Sequence, residues 1–130
     1  MKNERKFYRC EHCGNLVGFV ENAGVSIICC GEPMTELKPN TEDAAQEKHV
    51  PAVSRDGGML KIKVGSVPHP MTEAHHIDWI AVAEEDRTSR VALPKTGAPE
   101  AEFCVGDGAV TVYAYCNLHG LWAADSMPSI

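Results

Sequence analysis

The sequence predicts a mainly β protein in two parts: a small cysteine-rich metal-binding unit over residues 1–37 and an antiparallel β-sandwich over residues 38–130. Two observations predict it. Four of the six cysteines fall in the first part, which is too short to bury a self-sufficient core; below about 40 residues a metal, a disulfide or a partner is usually required. From about residue 50 the chain breaks into short stretches of alternating apolar and polar residues separated by Gly, Pro and Asp turns, which is the pattern of antiparallel strands.

Taken in order, "LVGFVENAGVSII" reads as two short strands joined by an Asn-Ala-Gly turn. "KPNTEDAAQEKHVPAV" is polar and reads as the linker and the start of the second part, with Pro39 and Asn40 ahead of a capped helical turn at Thr41. "DGG" marks a hairpin turn into the alternating "MLKIKV". "HIDWIAVA" alternates, "EEDRTS" turns, and "RVAL", "AEFCV", "AVTVYAY" and "LWAA" complete the strands. "ADSMPSI" reads as a frayed end.

Composition narrows the function classes. Hydrophobic residues at 44% and charged residues at 23% suit a soluble globular chain. The apolar stretches fall far short of the roughly 20 residues that cross a bilayer. A net charge of −6 argues against nucleic acid, whose phosphates require a basic face. The opening "MKNERKFYRC" is charged and lacks an apolar signal core, so a cytoplasmic, thiol-reducing location is expected.

Cys10 and Cys13 are spaced as a metal chelate, with Gly14 allowing the backbone to curl behind them. Cys29 and Cys30 are adjacent and reach one ion only if the backbone between them is extended or kinked. A distorted tetrathiolate site is therefore expected, against two disulfides or a site with one spectator cysteine. Soft thiolates suit zinc or iron, and spacing does not choose between them; iron permits electron transfer, whereas zinc only holds the fold. His12, inside the knuckle, reads as a surface residue.

A second constellation is spread over the remainder: His49, His69, His75, His76, Cys116 and His119. Prolines on both sides fix the backbone of His69. In "HHIDWIAVA", alternation places His75 with Ile77 and Trp79 on the core side and His76 with Asp78 on the solvent side, so His75 is the expected ligand. Four imidazoles and one thiolate exceed the four ligands of a structural zinc site and suit iron with one position open. Cys104, in "AEFCV", reads as a buried strand residue.

"YRCEHCGN", "CCGEPM", "EKHVP", "HPMTEAHH" and "CNLHGLW", in this order, resemble the desulfoferrodoxins, the two-iron superoxide reductases. The resemblance runs over essentially the whole chain. It implies a desulforedoxin-type domain with an iron in Cys10, Cys13, Cys29 and Cys30, then an immunoglobulin-like β-sandwich. The sandwich would carry a catalytic iron with His49, His69, His75 and His119 in a plane and Cys116 axial. Glu47 and Lys48 match the loop residues near the open position. A homodimer and a rubredoxin-type electron donor are also implied. Two departures stand out: His76 occupies a position where the family commonly has an aromatic residue, and the carboxyl tail runs a few residues longer.

The reaction implied is superoxide plus one electron plus two protons giving hydrogen peroxide. Neutral imidazoles and one thiolate leave a ferrous centre with a net charge of about +1, attractive to an anion. The thiolate donates electron density along the axis of the open position. Lys48 would steer the anion and order a proton-donating water, and Glu47 would fill the open position as product leaves. The competing readings are a non-catalytic iron electron-transfer protein and a structural zinc module.

Overall fold

In the computed structural model, which describes residues 2–127, the chain divides into two compact units, one of Arg5–Lys38 and one formed by the remainder. In the smaller unit, β1 (Phe7–Arg9) lies between β2 (Leu16–Gly18) and β5 (Thr35–Leu37), while β3 (Ile28–Cys29) and β4 (Glu32–Pro33) form a separate hairpin. Phe7, Cys10 and Met34 are its buried apolar residues. The expected Asn-Ala-Gly turn is present, with the Gly24 N–H donating to Asn22 Oδ1 at 2.8 Å. The two strands that it separates do not pair with each other, however. β2 pairs with β1, and β3 pairs with β4, because each strand is committed to a neighbour across its own cysteine turn.

The larger unit opens with α1 (Gln46–His49), a single helical turn. The helical turn thus begins five residues after Thr41, and its N-cap Ala45 supplies no side-chain acceptor. Among the described residues seven strands follow: β6 (Pro51–Asp56), β7 (Met59–Val64), β8 (Ile77–Ala83), β9 (Thr88–Ala92), β10 (Glu100–Cys104), β11 (Val110–Cys116) and β12 (Gly120–Ser126). They build two antiparallel sheets, β10-β7-β6 and β12-β11-β8-β9, giving the expected immunoglobulin-like sandwich. β12 runs to Ser126, so the expected fraying does not apply to Ala124–Ser126; residues 128–130 lie outside the described residues. No described helix is long and apolar enough to cross a membrane.

The core follows from period-two alternation. Leu60, Ile62 and Val64 of β7 meet Ile80 and Val82 of β8 and Val110, Val112 and Ala114 of β11. Burying each such aliphatic side chain stabilises the fold by roughly 1.5–3 kcal/mol. The next inward position on β11 is Cys116, which is wholly buried in the same cluster. The sulfur is therefore the last member of a core row.

The edge of β12 is not left open. Asn40, at φ 62°, donates its N–H to Leu121 O at 3.0 Å. Its side-chain amide donates to Ala123 O at 3.1 Å and accepts from the Ala123 N–H at 2.9 Å. One residue thus supplies the pairing of a short strand.

Candidate metal centres

The first cluster is built from turns. After β1, the Cys10 N–H donates to Asn15 O at 2.8 Å and the Gly14 N–H to Cys10 O at 2.9 Å, closing the knuckle. Gly14 lies at φ 84°, a conformation costly for other residues. The β3–β4 turn brings up the second pair. Cys30 adopts φ 53°, so the expected kink between the adjacent cysteines is a left-handed residue. The four sulfurs lie within 4.8 Å of one another, and all are free thiols.

Their proton affinities differ sharply. The Cys13 backbone N–H pointing at its sulfur, 3.5 Å away, is the main cause that draws the Cys10 thiol down to about 6. Hydrogen bonding with the Cys13 sulfur, together with the other thiols, pushes Cys30 up to about 12. Four sulfurs this close cannot all shed protons into open solvent, and a cation among them removes the conflict. Asn15 Nδ2 also donates to Cys29 Sγ at 3.7 Å. His12 is exposed, as expected, and pairs with Glu32 at 3.2 Å.

The second cluster gathers at one end of the sandwich. His49 comes from α1, His69 from the loop after β7, His75 from just before β8, Cys116 from the end of β11 and His119 from the β11–β12 turn. Ring centroids step round a near-square: His49–His69 4.7 Å, His69–His75 4.6 Å, His75–His119 5.1 Å and His119–His49 5.0 Å. Neighbouring rings stand at 74–88°, while the opposed His49 and His75 rings are tilted by only 31°. The coordinating atoms of His49, His75, Cys116 and His119 lie within 4.8 Å of one another, and His69 Nε2 is 3.2 Å from His49 Nε2.

The hydrogen bonds fix which nitrogen faces inward. His49 Nδ1 donates to Ala45 O and His69 Nδ1 to Pro70 O, each at 2.7 Å, which leaves both Nε2 atoms as bare acceptors in the neutral rings. These two lone pairs face each other at 3.2 Å. His119 turns Nδ1 inward, also 3.2 Å from His49 Nε2. His75 Nε2 is buried with no hydrogen-bond partner. Converging lone pairs and an orphaned buried nitrogen are unfavourable by themselves and are satisfied by one cation in their midst. The donor set therefore fits a metal ion.

Burial pushes His49 and His75 below the ordinary imidazole range and His69 down to about 4, so all three rings are held neutral. Burial pushes the Cys116 thiol up, opposed by the amides of Leu118 and His119; the His119 N–H lies 3.4 Å from the sulfur. A metal is thus needed to make this sulfur a thiolate. Glu47 and Lys48 are exposed on α1. The Lys48 charge reaches His49 and His75, and the Glu47 charge reaches His49.

Two expectations are corrected. His76 is buried rather than on the surface, because Nδ1 bonds Thr72 O and Nε2 bonds Asp78 Oδ1, both at 2.8 Å. With both nitrogens engaged, it offers nothing to a metal. Strand alternation also breaks here. A bulge sets Tyr115 opposite Trp79 but Cys116 opposite Ile77. Ile77 thus enters the core while Trp79 stacks on Tyr115, the rings 5.7 Å apart. Cys104 is exposed rather than buried, since its alternation partners on β10 are Glu100 and Glu102.

Sequence reasoning missed Trp122, which is buried, stacks on the His49 ring at 4.8 Å and donates Nε1–H to His119 O at 3.0 Å. The signal was its place three residues after His119. It also missed Asn117, whose Oδ1 accepts the His76 N–H at 2.8 Å and whose Nδ2 donates to Ala74 O at 3.0 Å, tying the His75 segment to the Cys116 turn.

The profile of a family described as "Desulfoferrodoxin" matches residues 41–125, and that of the "Desulfoferrodoxin, N-terminal domain" matches residues 2–37. The chain belongs to the desulfoferrodoxin family. It is 44% identical to a desulfoferrodoxin of Nitratidesulfovibrio vulgaris over 97% of its own length and 100% of that protein. Its fold is similar to the superoxide reductase of Treponema pallidum, with a TM-score of 0.77 and 37% identity over 93% of this chain and 98% of that one. A one-iron superoxide reductase of Giardia intestinalis aligns with a TM-score of 0.55 and 35% identity over 62% of this chain and 98% of that one. The four-cysteine cluster and the four-histidine, one-cysteine cluster match the two iron centres of a desulfoferrodoxin.

Proposed function

We propose that this desulfoferrodoxin is a superoxide reductase: superoxide, one electron and two protons give hydrogen peroxide. The observation that carries this reading is the square of inward-facing imidazoles with a buried sulfur beside it. His49, His69, His75 and His119 would hold one iron together with Cys116. Cys10, Cys13, Cys29 and Cys30 would hold the other. Bound iron would supply the electron, and a thiolate ligand at Cys116 would raise the electron density available for that transfer. The domains assigned are 1–37 for the four-cysteine centre and 38–130 for the catalytic one.

The chain's own residues do the rest. The neutral rings of His49, His69 and His75 leave the site's positive charge to the metal. Lys48 adds a local cation on an acidic protein, which draws in the superoxide anion and holds a water as proton donor. Glu47, exposed on the same turn, would be the carboxylate that displaces product. A cytoplasmic setting is supported by cysteines that are unpaired, five of them assigned to metal rather than to disulfides. A homodimer is supported by exposed apolar residues on the smaller unit, with Val20, Val25 and Ile28 exposed to 102%, 75% and 60%. A rubredoxin-type protein is the proposed electron donor, on the family resemblance.

Mixing the reduced protein with superoxide tests the reading. Stoichiometric, second-order oxidation of the histidine centre is expected, with two irons per chain by metal analysis. Two zinc ions per chain, or a histidine centre that superoxide leaves reduced, overturns it. Lys48→Ala is expected to slow association by about tenfold at low salt and to flatten its salt dependence.

A further inference from the structure

The turn that carries Glu47, Lys48 and His49 has little rigidity of its own. It is one helical turn without a side-chain cap, and Glu47 and Lys48 are exposed. Isolated helices shorter than about 12 residues do not hold themselves together.

What grips the turn is the loop after β7. The Val67 N–H donates to Glu47 O at 2.9 Å, and Ser66 Oγ–H donates to the same oxygen at 3.3 Å. Gly65 lies closer still. A Cβ there would stand 2.5 Å from Glu47 O, 3.0 Å from the carbonyl carbon of Lys48 and 3.0 Å from Val50 O. These are backbone atoms, which cannot swing aside as a side-chain tip does. The φ of Gly65 is not positive, so the position demands empty space rather than glycine's conformational freedom. The same loop leads into His69, whose N–H donates to Val64 O at 2.8 Å.

We propose that Gly65 is a positioning residue for superoxide reduction: its missing side chain lets residues 65–67 seat the Glu47–Lys48 turn against the histidine centre, so that the Lys48 charge acts on the site. This rests on the reading of Lys48 as the steering cation and extends it to a residue with no ligand role. One short loop thereby fixes both a proposed ligand, His69, and the charge that serves the site.

The test uses iron-loaded Gly65→Ala, Ser66→Ala, Lys48→Ala and the double variant Gly65→Ala/Lys48→Ala. Rates with superoxide are measured against ionic strength, and amide hydrogen exchange is followed over residues 46–50. Gly65→Ala is expected to slow association by about tenfold at low salt, within the range that steering supplies. It should flatten the salt dependence and speed exchange at Lys48–Val50, with both irons and the thiolate charge-transfer band retained. The double variant should be no slower than Lys48→Ala alone. A Gly65→Ala protein with the parent rate, salt slope and exchange, or a double variant in which the two losses multiply, overturns the proposal. Should Gly65→Ala fail to fold or to hold iron, Ser66→Ala carries the test: faster exchange at Lys48–Val50 and a shallower salt slope support it, and parent values for both overturn it. If Lys48→Ala alone leaves the rate unchanged, the steering reading fails, and the exchange data still decide whether Gly65 seats the turn.

Discussion

The two metal clusters are built by opposite strategies. The four cysteines lie between residues 10 and 30 and are brought together by two short turns, with few buried side chains behind them. The four histidines and Cys116 lie between residues 49 and 119 and are delivered by elements of a sandwich that already has a full core. The first cluster organises its protein, and the second is organised by it. A local chelate needs only the right spacing, whereas a remote one inherits its geometry from strand register.

Metal removal should expose the contrast most strongly. Stripped of both ions, residues 5–38 are expected to lose nearly all amide protection, because about ten kcal/mol or more of folding energy in such small units comes from the metal. The sandwich strands should keep theirs. Equal protection of residues 5–38 with and without metal would falsify the idea that this unit depends on its ion.

Cys116→Ser sharpens the other side. Loss of the sulfur should abolish the thiolate charge-transfer absorption and lower superoxide reduction by more than about a hundredfold, beyond what outer-shell losses cost. The sandwich should still melt cooperatively. Retention of the visible band would mean that another sulfur serves the site. Trp122→Leu should cost about 3 kcal/mol by chemical denaturation, since a buried indole is replaced by a smaller side chain. It should also disturb the EPR signal of the histidine centre, because the indole touches both His49 and His119. A stability loss with an unaltered signal would reduce Trp122 to packing alone.

Cys13→Ser makes the complementary cut. It should change only the spectrum of the four-cysteine centre, with superoxide oxidising the histidine centre at a rate within about twofold of the parent. A larger loss would mean that the second centre leans on the first. The smallest effect is expected at the end of β8 away from the histidine centre. Arg87 Nε donates to Glu84 at 2.6 Å, and this bond holds the Glu84 carboxyl below its ordinary value of 4.5. The folded state then binds fewer protons than the unfolded chain as pH falls through that value, so this stabilisation is present above about pH 4.5 and lost below it. Glu84→Gln should cost about 1 kcal/mol at neutral pH and progressively less in acid. A pH-independent cost would assign the loss to packing.

The parts legible in the sequence were those fixed by short-range rules. Cys-x-x-Cys spacing, the tight turn at Gly14 and the alternation of the main strands needed no knowledge of the rest of the chain. His75 and His76 show where such rules end. Alternation grouped His75 with Ile77 and Trp79, yet the bulge opposite Cys116 separates Ile77 from Trp79, and His76 is buried as well. What distinguishes the two histidines is hydrogen bonding: Thr72 and Asp78 occupy both nitrogens of His76, while His75 Nε2 is left without a partner. Cys104 was misread because cysteine's apolar character outweighed the pattern of "EAEFC", in which Glu100 and Glu102 already mark the outward face. The grip of Gly65 on the Glu47 turn was not legible, since a glycine in sequence does not say what comes near it.

Asn40 carries a consequence for life at high concentration. By imitating a neighbouring strand with its own amide, it leaves the rim of the four-stranded sheet with nothing to offer a second polypeptide at Leu121 and Ala123. Fibrous growth by accretion on that side is refused by a single residue, and replacing it with alanine should turn a quiet border into a sticky one.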